Sequence, residues 1–453
     1  MRLGFHALPC LLAGGTLLLC SVTAARADYV TDWNVLALTT MRDSSDAAPV
    51  MARDLAILST AMYNAAESIR GGYQTFGAGS YTAPGAGPAG ASYQAAMISA
   101  ANTVMQSLYS GSSASFTSLY NTQLGTIADS QAKADGVAWG AAVANNFLTW
   151  RAGDGASAAA STPYTPVGTV GYWQQTSPSS ALLPGWGNVN TFALPGTAGY
   201  QQSLPGGVSS YLVSSQYAAD YNQVKDLGTA FSLTRTADQT NQAYFWAAGA
   251  GTVTSVGMWN QVAQTAAAGA GLSDADTARL FAAMNMAMAD AGITAFATAY
   301  DMQFWRPETA IANGDIDGNA GTNVDTSWAP LITSPSMPEY AALGSALSGA
   351  AATVLASYLG DNTAFSLGSD INGDGTTDLT RSFTSFSQAA AEATQSGIYG
   401  GTQFATSATD GQALGSDVAG YIIGNHFALV PEPSSALLLL CGVLLALHRR
   451  SRA

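Results

Sequence analysis

Thiol, imidazole and ammonium groups are almost missing from this 453-residue chain. Cysteine occurs at 10, 20 and 441, histidine at 6, 426 and 448, and lysine at 133 and 225. The three cysteines all lie near the ends, so residues 28–430 have neither a disulfide nor thiol chemistry. Charge is scarce too, at 10% of residues. Of the 15 bases and 29 acids, five bases and one acid lie outside residues 28–430. The body therefore keeps 10 and 28, a formal charge of −18. Such a surface disfavours nucleic acid and phosphate-rich partners. No tandem repeat and no sustained apolar/polar alternation is present. What is abundant is small and apolar. A hydrophobic content of 48% with 48 glycines supports a sizeable core and excludes a disordered chain.

The two ends read as targeting segments. Residues 1–27 carry Arg2, an apolar run and Ala25-Arg26-Ala27, the pattern of a secretory signal peptide with its cleavage site. The mature body is expected from Asp28, as one domain over 28–429. Residues 430–453 hold Pro431-Glu432-Pro433, twelve apolar residues (436–447), and then Arg449, Arg450 and Arg452. A helix of that length spans about 18 Å, short of a bilayer core of about 30 Å. Its basic tail would stay cytoplasmic. This order of elements resembles the PEP-CTERM sorting signal of exosortase-processed bacterial proteins. The resemblance implies export through the inner membrane, tail processing by exosortase-type machinery, and a cell-surface or extracellular destination. Membrane contact would be made only through the C-terminal segment before processing.

Within the body the apolar spacing is helical over 54–69, 91–109 and 130–150, and further helices are expected near 240–266, 274–299, 338–358, 385–396 and 411–424. The expected fold class is all-α. Met284, Met286 and Met288 read as core filling in a bundle helix. Loops rich in Gly, Pro and Ser fall at 71–90 and 153–209. The second carries Tyr164, Tyr172, Trp173 and Trp186, which either form a surface for glycan or extracellular matrix or cap the bundle.

The segments "AMYNAAESI", "SSQYAADYNQVKDLGTAFSLTRTADQT", "ARLFAAMNMAMADAGITAF", "FWRPETAI", "DIDGNAGTNVDTSWAPLI", "PEY…S…SGA", "SFSQAAAEATQSGIYGG" and "DGQALG" follow one another in order. In that order the body resembles the bacterial vanadium-dependent haloperoxidase-like family of the PAP2 acid phosphatase superfamily. The resemblance implies paired four-helix bundles around one oxoanion pocket. It also implies a cradle of one Lys, two Arg, a Ser hydroxyl, a Gly amide and two His, one of them the direct ligand or nucleophile. A buried oxoanion needs such a set, because an unpaired buried charge is very costly.

Carried over position by position, most of that set is replaced. Arg306 of "FWRP" remains, but the Lys position, seven residues earlier, is Ala299. The Pro-Ser-Gly-His run falls on Ala341, Ala342, Leu343 and Gly344. The second Arg falls on Gly397 and the ligand His on Gln403. Neighbouring Pro338, Glu339, Tyr340, Ser348, Gly349, Tyr399 and Gly400 still match. Losing one oxyanion donor already costs ~10²–10³ in rate. Vanadate is therefore not expected to bind, no cofactor is expected, and a non-catalytic role is the first expectation. The alternative from another class is an enzyme with a rearranged site built on Arg306, Gln403 and Glu339. Arg306 would otherwise pair with a nearby acid and fix its loop, since Pro307 disfavours helix at 306.

Two smaller patterns remain. "DINGDGTTD" places Asp370, Asn372, Asp374, Thr376 and Asp378 at alternate positions of a calcium loop, with Gly375 sixth, but Arg381 stands where the bidentate Glu belongs. It reads either as a Ca²⁺ site, implying a calcium-stabilised surface module, or as an Asx/Gly turn. His426 lies outside every motif and reads as a satisfied or exposed side chain.

Overall fold

A computed structural model describes residues 28–176 and 180–430. The first half comprises α1 (Tyr29–Asp43), α2 (Ala48–Arg70), α3 (Tyr93–Leu108), α4 (Ser113–Gly125), α5 (Gln131–Arg151), α6 (Ala156–Ala159), α7 (Gly207–Leu212) and α8 (Ser215–Gly228). The second comprises α9 (Ala237–Trp246), α10 (Thr254–Gly269), α11 (Asp274–Met302), α12 (Pro307–Ala312), α13 (Leu343–Leu359), α14 (Phe386–Tyr399) and α15 (Ala405–Asn425). Between α13 and α14 lies one hairpin, β1 (Phe365–Ser369) and β2 (Leu379–Phe383). The signal-peptide and sorting segments, with Pro431, Glu432, Pro433, Arg449 and Arg450, lie outside the described residues.

Helix α11 is the axis of the molecule. Ser273 caps it by accepting from the Asp276 amide, and Asp274 and Asp276 oppose the positive end of its dipole. Its apolar residues are buried on all sides, including Met284, Met286 and Met288 at 0% exposure. That burial makes it a core helix despite its membrane-like length and hydropathy. On one side α2, α3 and α5 pack as a bundle with α11; on the other, α13, α14 and α15 do so. A buried amide chain, Gln264–Asn34–Asn260–Asn285, ties α10, α1 and α11 together through bonds of 2.7–3.1 Å. Its donors and acceptors are mutually paired, which is what permits amides inside a core.

Small residues bring α13 and α15 together. A Cβ on Gly411 would fall 2.5 Å from the Ala342 carbonyl oxygen. Cβ atoms on Gly415 and Gly349 would run into the Ala346 and Gln412 carbonyls. The two backbones therefore touch, and the seam tolerates no side chain at these glycines.

Two expectations are corrected. The segment expected as one helix over 240–266 is broken at 247–253, where Gly249 and Gly251 open a turn between α9 and α10. The helix expected from 338 starts at Leu343, because residues 338–342 are irregular, with a bend at Tyr340 and Ala341. The all-α reading holds, with one hairpin added to it: β1 and β2 are five residues each, too short for alternation to show in the sequence. Their pairing is carried by Phe365 and Phe383, whose rings lie 5.3 Å apart.

Candidate functional site

The N-terminus of α13, the C-terminal end of α14, the irregular 332–339 segment and the turn after α9 line a cavity of about 520 Å³. Its wall brings together Arg306, Ala342, Leu343, Gly344, Gly397 and Gln403, with Glu339 beside them. Six of the seven positions assigned to a relic oxoanion pocket thus converge. Ala299 does not line it. It is fully buried one layer behind, in an apolar cluster with Phe296 and Met337.

Arg306 sits at the N-cap of α12 in extended conformation (φ −81°, ψ 155°), as Pro307 requires. The expected acid partner is not what holds it. Its Nε donates to the Met337 carbonyl at 2.9 Å, and its two terminal nitrogens donate to the carbonyls of Thr402 (2.9 Å) and Pro338 (3.1 Å). The guanidinium is 3% exposed and ties the 337–338 segment to the α14–α15 turn. Burial lowers its pKa to about 10, against the opposing pull of Glu339.

Among the described residues, Glu339 is the only acid in the wall. Its Oε1 accepts from the Phe404 amide at 3.0 Å, while Oε2, fully buried, has no partner. Burial pushes its pKa up to about 8; the Arg306 charge, the Phe404 amide and the Ser407 hydroxyl pull it back. Neighbouring Tyr340 donates to Asp410 at 2.6 Å, anchoring "PEY" to α15.

At the remaining positions no charge is present. Gln403 folds over Gly397, and its Oε1 is buried without a partner. A Cβ at Gly344 would meet nothing within 4 Å, so open space stands where a side chain could reach into the cavity. Ser348 accepts from Trp259 at 2.9 Å and Ser396 donates to the Ala393 carbonyl at 2.7 Å. Ser334 has a buried hydroxyl with no partner. The positions of Ser334 and Trp246 in this wall had no signal in the sequence. Leu343 packs against the bundle core while also lining the cavity.

The calcium-like segment is the turn of the β1–β2 hairpin. Asp370 accepts from the amides of Gly373, Asp374 and Gly375; Asp378 accepts from Ile371 and Asn372; and Asp374 accepts from Thr376. The carboxylates face the loop's own amides, and among the described residues no group of three acids, histidines or cysteines is placed to hold a metal. Arg381 makes a two-pronged ion pair with Glu392 (2.6 and 2.7 Å) and reaches Asp238.

In the 153–209 loop, Trp173 and Trp186 are buried and Tyr164 donates to Gln303 at 2.9 Å, so these rings cap the bundle. His426 is neither satisfied nor exposed. It packs between Phe76, Tyr421 and Phe427 at the far end of α15, its Nε2 buried and unpartnered, and burial lowers its pKa.

Residues 279–430 match the family model described as the VCPO second helical-bundle domain. No curated protein matches the chain. Among solved structures, a bacterial vanadium-dependent iodoperoxidase is similar at 25% identity and a TM-score of 0.76, over 89% of this chain and 97% of that one. The apo and holo forms of a bacterial vanadium-dependent chloroperoxidase share the fold, at 14% and 15% identity and TM-scores of 0.65 and 0.64. They cover 83% of this chain, and 94% and 91% of theirs. Residues 279–430 are thus similar to the second helical bundle of this family, and the chain as a whole shares the fold of the bacterial vanadium-dependent iodoperoxidase.

Proposed function

We propose that this is an exported haloperoxidase-fold protein that does not carry out haloperoxidase or phosphatase chemistry and acts at the cell surface or in the extracellular matrix. One observation carries the non-catalytic reading. Arg306, the single cation of the cavity among the described residues, is already committed to three backbone carbonyls, and the other compared positions in the wall hold Ala, Leu, Gly and Gln. An oxoanion placed there would have a buried acid, Glu339, beside it and no imidazole in reach, because the body's only histidine lies beyond the other end of a 21-residue helix. Several fixed donors and a basic group are needed to stabilise charge at such a centre. Vanadate is not a cofactor in this reading.

Export and removal of the tail rest on the signal-peptide and PEP-CTERM-like segments. A body charge of −18 suits a solvated exterior protein and argues against nucleic acid as a partner. The test is turnover of iodide, bromide and a phosphomonoester by the purified protein, with and without orthovanadate, together with a direct vanadate-binding titration. No turnover and no binding are expected; vanadate-dependent halide oxidation would defeat the proposal.

A further inference from the structure

Tyr109, at the C-terminal end of α3, meets two carboxylates. Its Oη lies 2.7 Å from Asp46 Oδ2 and 2.9 Å from Asp54 Oδ2. Asp46 is half-buried in the corner between α1 and α2, and Asp54 is buried in α2. A phenol carries one proton. Once that proton goes to one carboxylate, the second contact is a full hydrogen bond only if the other carboxyl brings a proton of its own. With both acids ionised, two negative charges would bear on one hydroxyl, and like charges so placed hold one of the pair protonated.

The surrounding charges point the same way. Arg53 donates to Asp54 Oδ1 at 2.7 Å, but its Nε goes to Asp154 at 2.7 Å. Arg151, at the end of α5, pairs with Asp154 as well, and Asp290 of α11 acts on Arg151. The charges that end α1, Arg42 and Asp43, pair with each other. Two guanidinium groups, Arg53 and Arg151, therefore stand among four carboxylates, Asp46, Asp54, Asp154 and Asp290. One proton on the Asp46–Asp54 pair narrows that imbalance. Asp54 is the more buried of the two. Burial raises its pKa and Asp46 adds to the rise, against the pull of Arg53 and Tyr109.

We propose that Asp54, Tyr109 and Asp46 form a proton-dependent latch on the α1–α2 corner. Asp54 holds the proton and donates to Tyr109, and Tyr109 donates to Asp46. This chain of two bonds pins the corner against the end of α3. As pH rises, Asp54 releases its proton to solvent, the chain loses a donor, and the corner loosens. Ala48, the first residue of α2, lines the cavity, so the corner held by the latch borders the cavity wall.

Amide hydrogen exchange of the purified protein from pH 4 to pH 9 tests it, read over residues 44–51 and corrected for the intrinsic pH dependence of exchange. The amides of Ser44, Ser45 and Asp46 donate to carbonyls of α1, so their protection reports on the corner. In the wild type that protection is expected to fall by up to about ten-fold per pH unit while Asp54 titrates. Asp54→Asn, whose amide donates to Tyr109 at every pH and keeps an oxygen for Arg53, should stay protected throughout. Tyr109→Phe should lose protection at low pH, and with it the pH response. An infrared difference spectrum over the same range reads the proton directly: the protonated-carboxyl band lost as pH rises should be smaller by one group in Asp54→Asn. A corner whose protection does not respond to pH in the wild type, or responds equally in Asp54→Asn, would overturn the proposal. If Asp54→Asn does not fold, Tyr109→Phe decides, and an unchanged pH response there would overturn it.

Discussion

The side chain of Gln403 lies directly over Gly397, so that a Cβ at 397 would stand 2.5 Å from the Gln403 amide carbon. The two positions exclude each other. By the resemblance they correspond to an arginine and a histidine; here the one side chain overlies a glycine.

That exclusion is measurable as coupling. In a helix interior, Gly→Ala is worth roughly 1 kcal/mol of stabilisation when nothing obstructs it. Gly397→Ala alone should lose that gain, because Gln403 must move. In a Gln403→Ala background it should recover it. A denaturant-unfolding cycle is expected to show non-additivity of about 1 kcal/mol, in the range found for residues in contact. Simple additivity would mean that Gln403 leaves Gly397 at no cost.

Arg306 holds structure here. Its removal leaves the carbonyls of Met337, Pro338 and Thr402 without their donor in a buried setting. Arg306→Ala should lower unfolding stability by about 3 kcal/mol or more. Arg306→Lys should recover only part, since one ammonium cannot span three carbonyls set around a planar fork. A fully stable Arg306→Ala would show that these bonds are dispensable.

The pH dependence follows from Glu339. Its folded pKa is raised from 4.5 to about 8. Between those values the folded chain holds a proton that the unfolded chain has released. Stability is therefore greatest below about 4.5 as far as this group is concerned, falls as pH rises through the window, and levels above 8. Asp54, Asp290 and Asp410 are raised by burial too and slope the same way, so the difference between proteins is the readout. Glu339→Gln should flatten the wild-type slope between pH 5 and 8 in thermal melts. An unchanged slope would remove Glu339 from this account.

The hairpin turn offers a test that separates metal from geometry. Asp370 accepts from three loop amides at 2.8–3.1 Å. Asp370→Ala is expected to lower the melting temperature by the same amount in EGTA and in millimolar Ca²⁺. A wild-type melting temperature that rises with Ca²⁺ would place an ion in the loop.

The helices were legible where apolar spacing is sustained, as over 274–299, which the structure extends to Met302. The order of motifs carried the fold further than any single motif. Arg306 was legible as a fixed residue, because Pro307 sets its backbone, but its carbonyl partners were not. They come from 31, 32 and 96 residues away, and main-chain acceptors leave no mark in a sequence. The hairpin was hidden by the brevity of its strands, and the unpartnered Ser334 by the absence of any pattern around it. Ala299 shows the opposite limit: its position in the motif was legible, but its place one layer behind the wall was not.

The glycine seam between α13 and α15 has a consequence for how such a chain changes. Gly349, Gly411 and Gly415 fix the spacing of two helices by backbone contact alone, along the helix that opens at the cavity. The spacing at this seam is therefore set by residues that have no side chains, while wall positions such as Gly344 and Gln403 lie outside it. Substitutions at those positions leave the two-helix contact untouched, so long as the seam stays glycine.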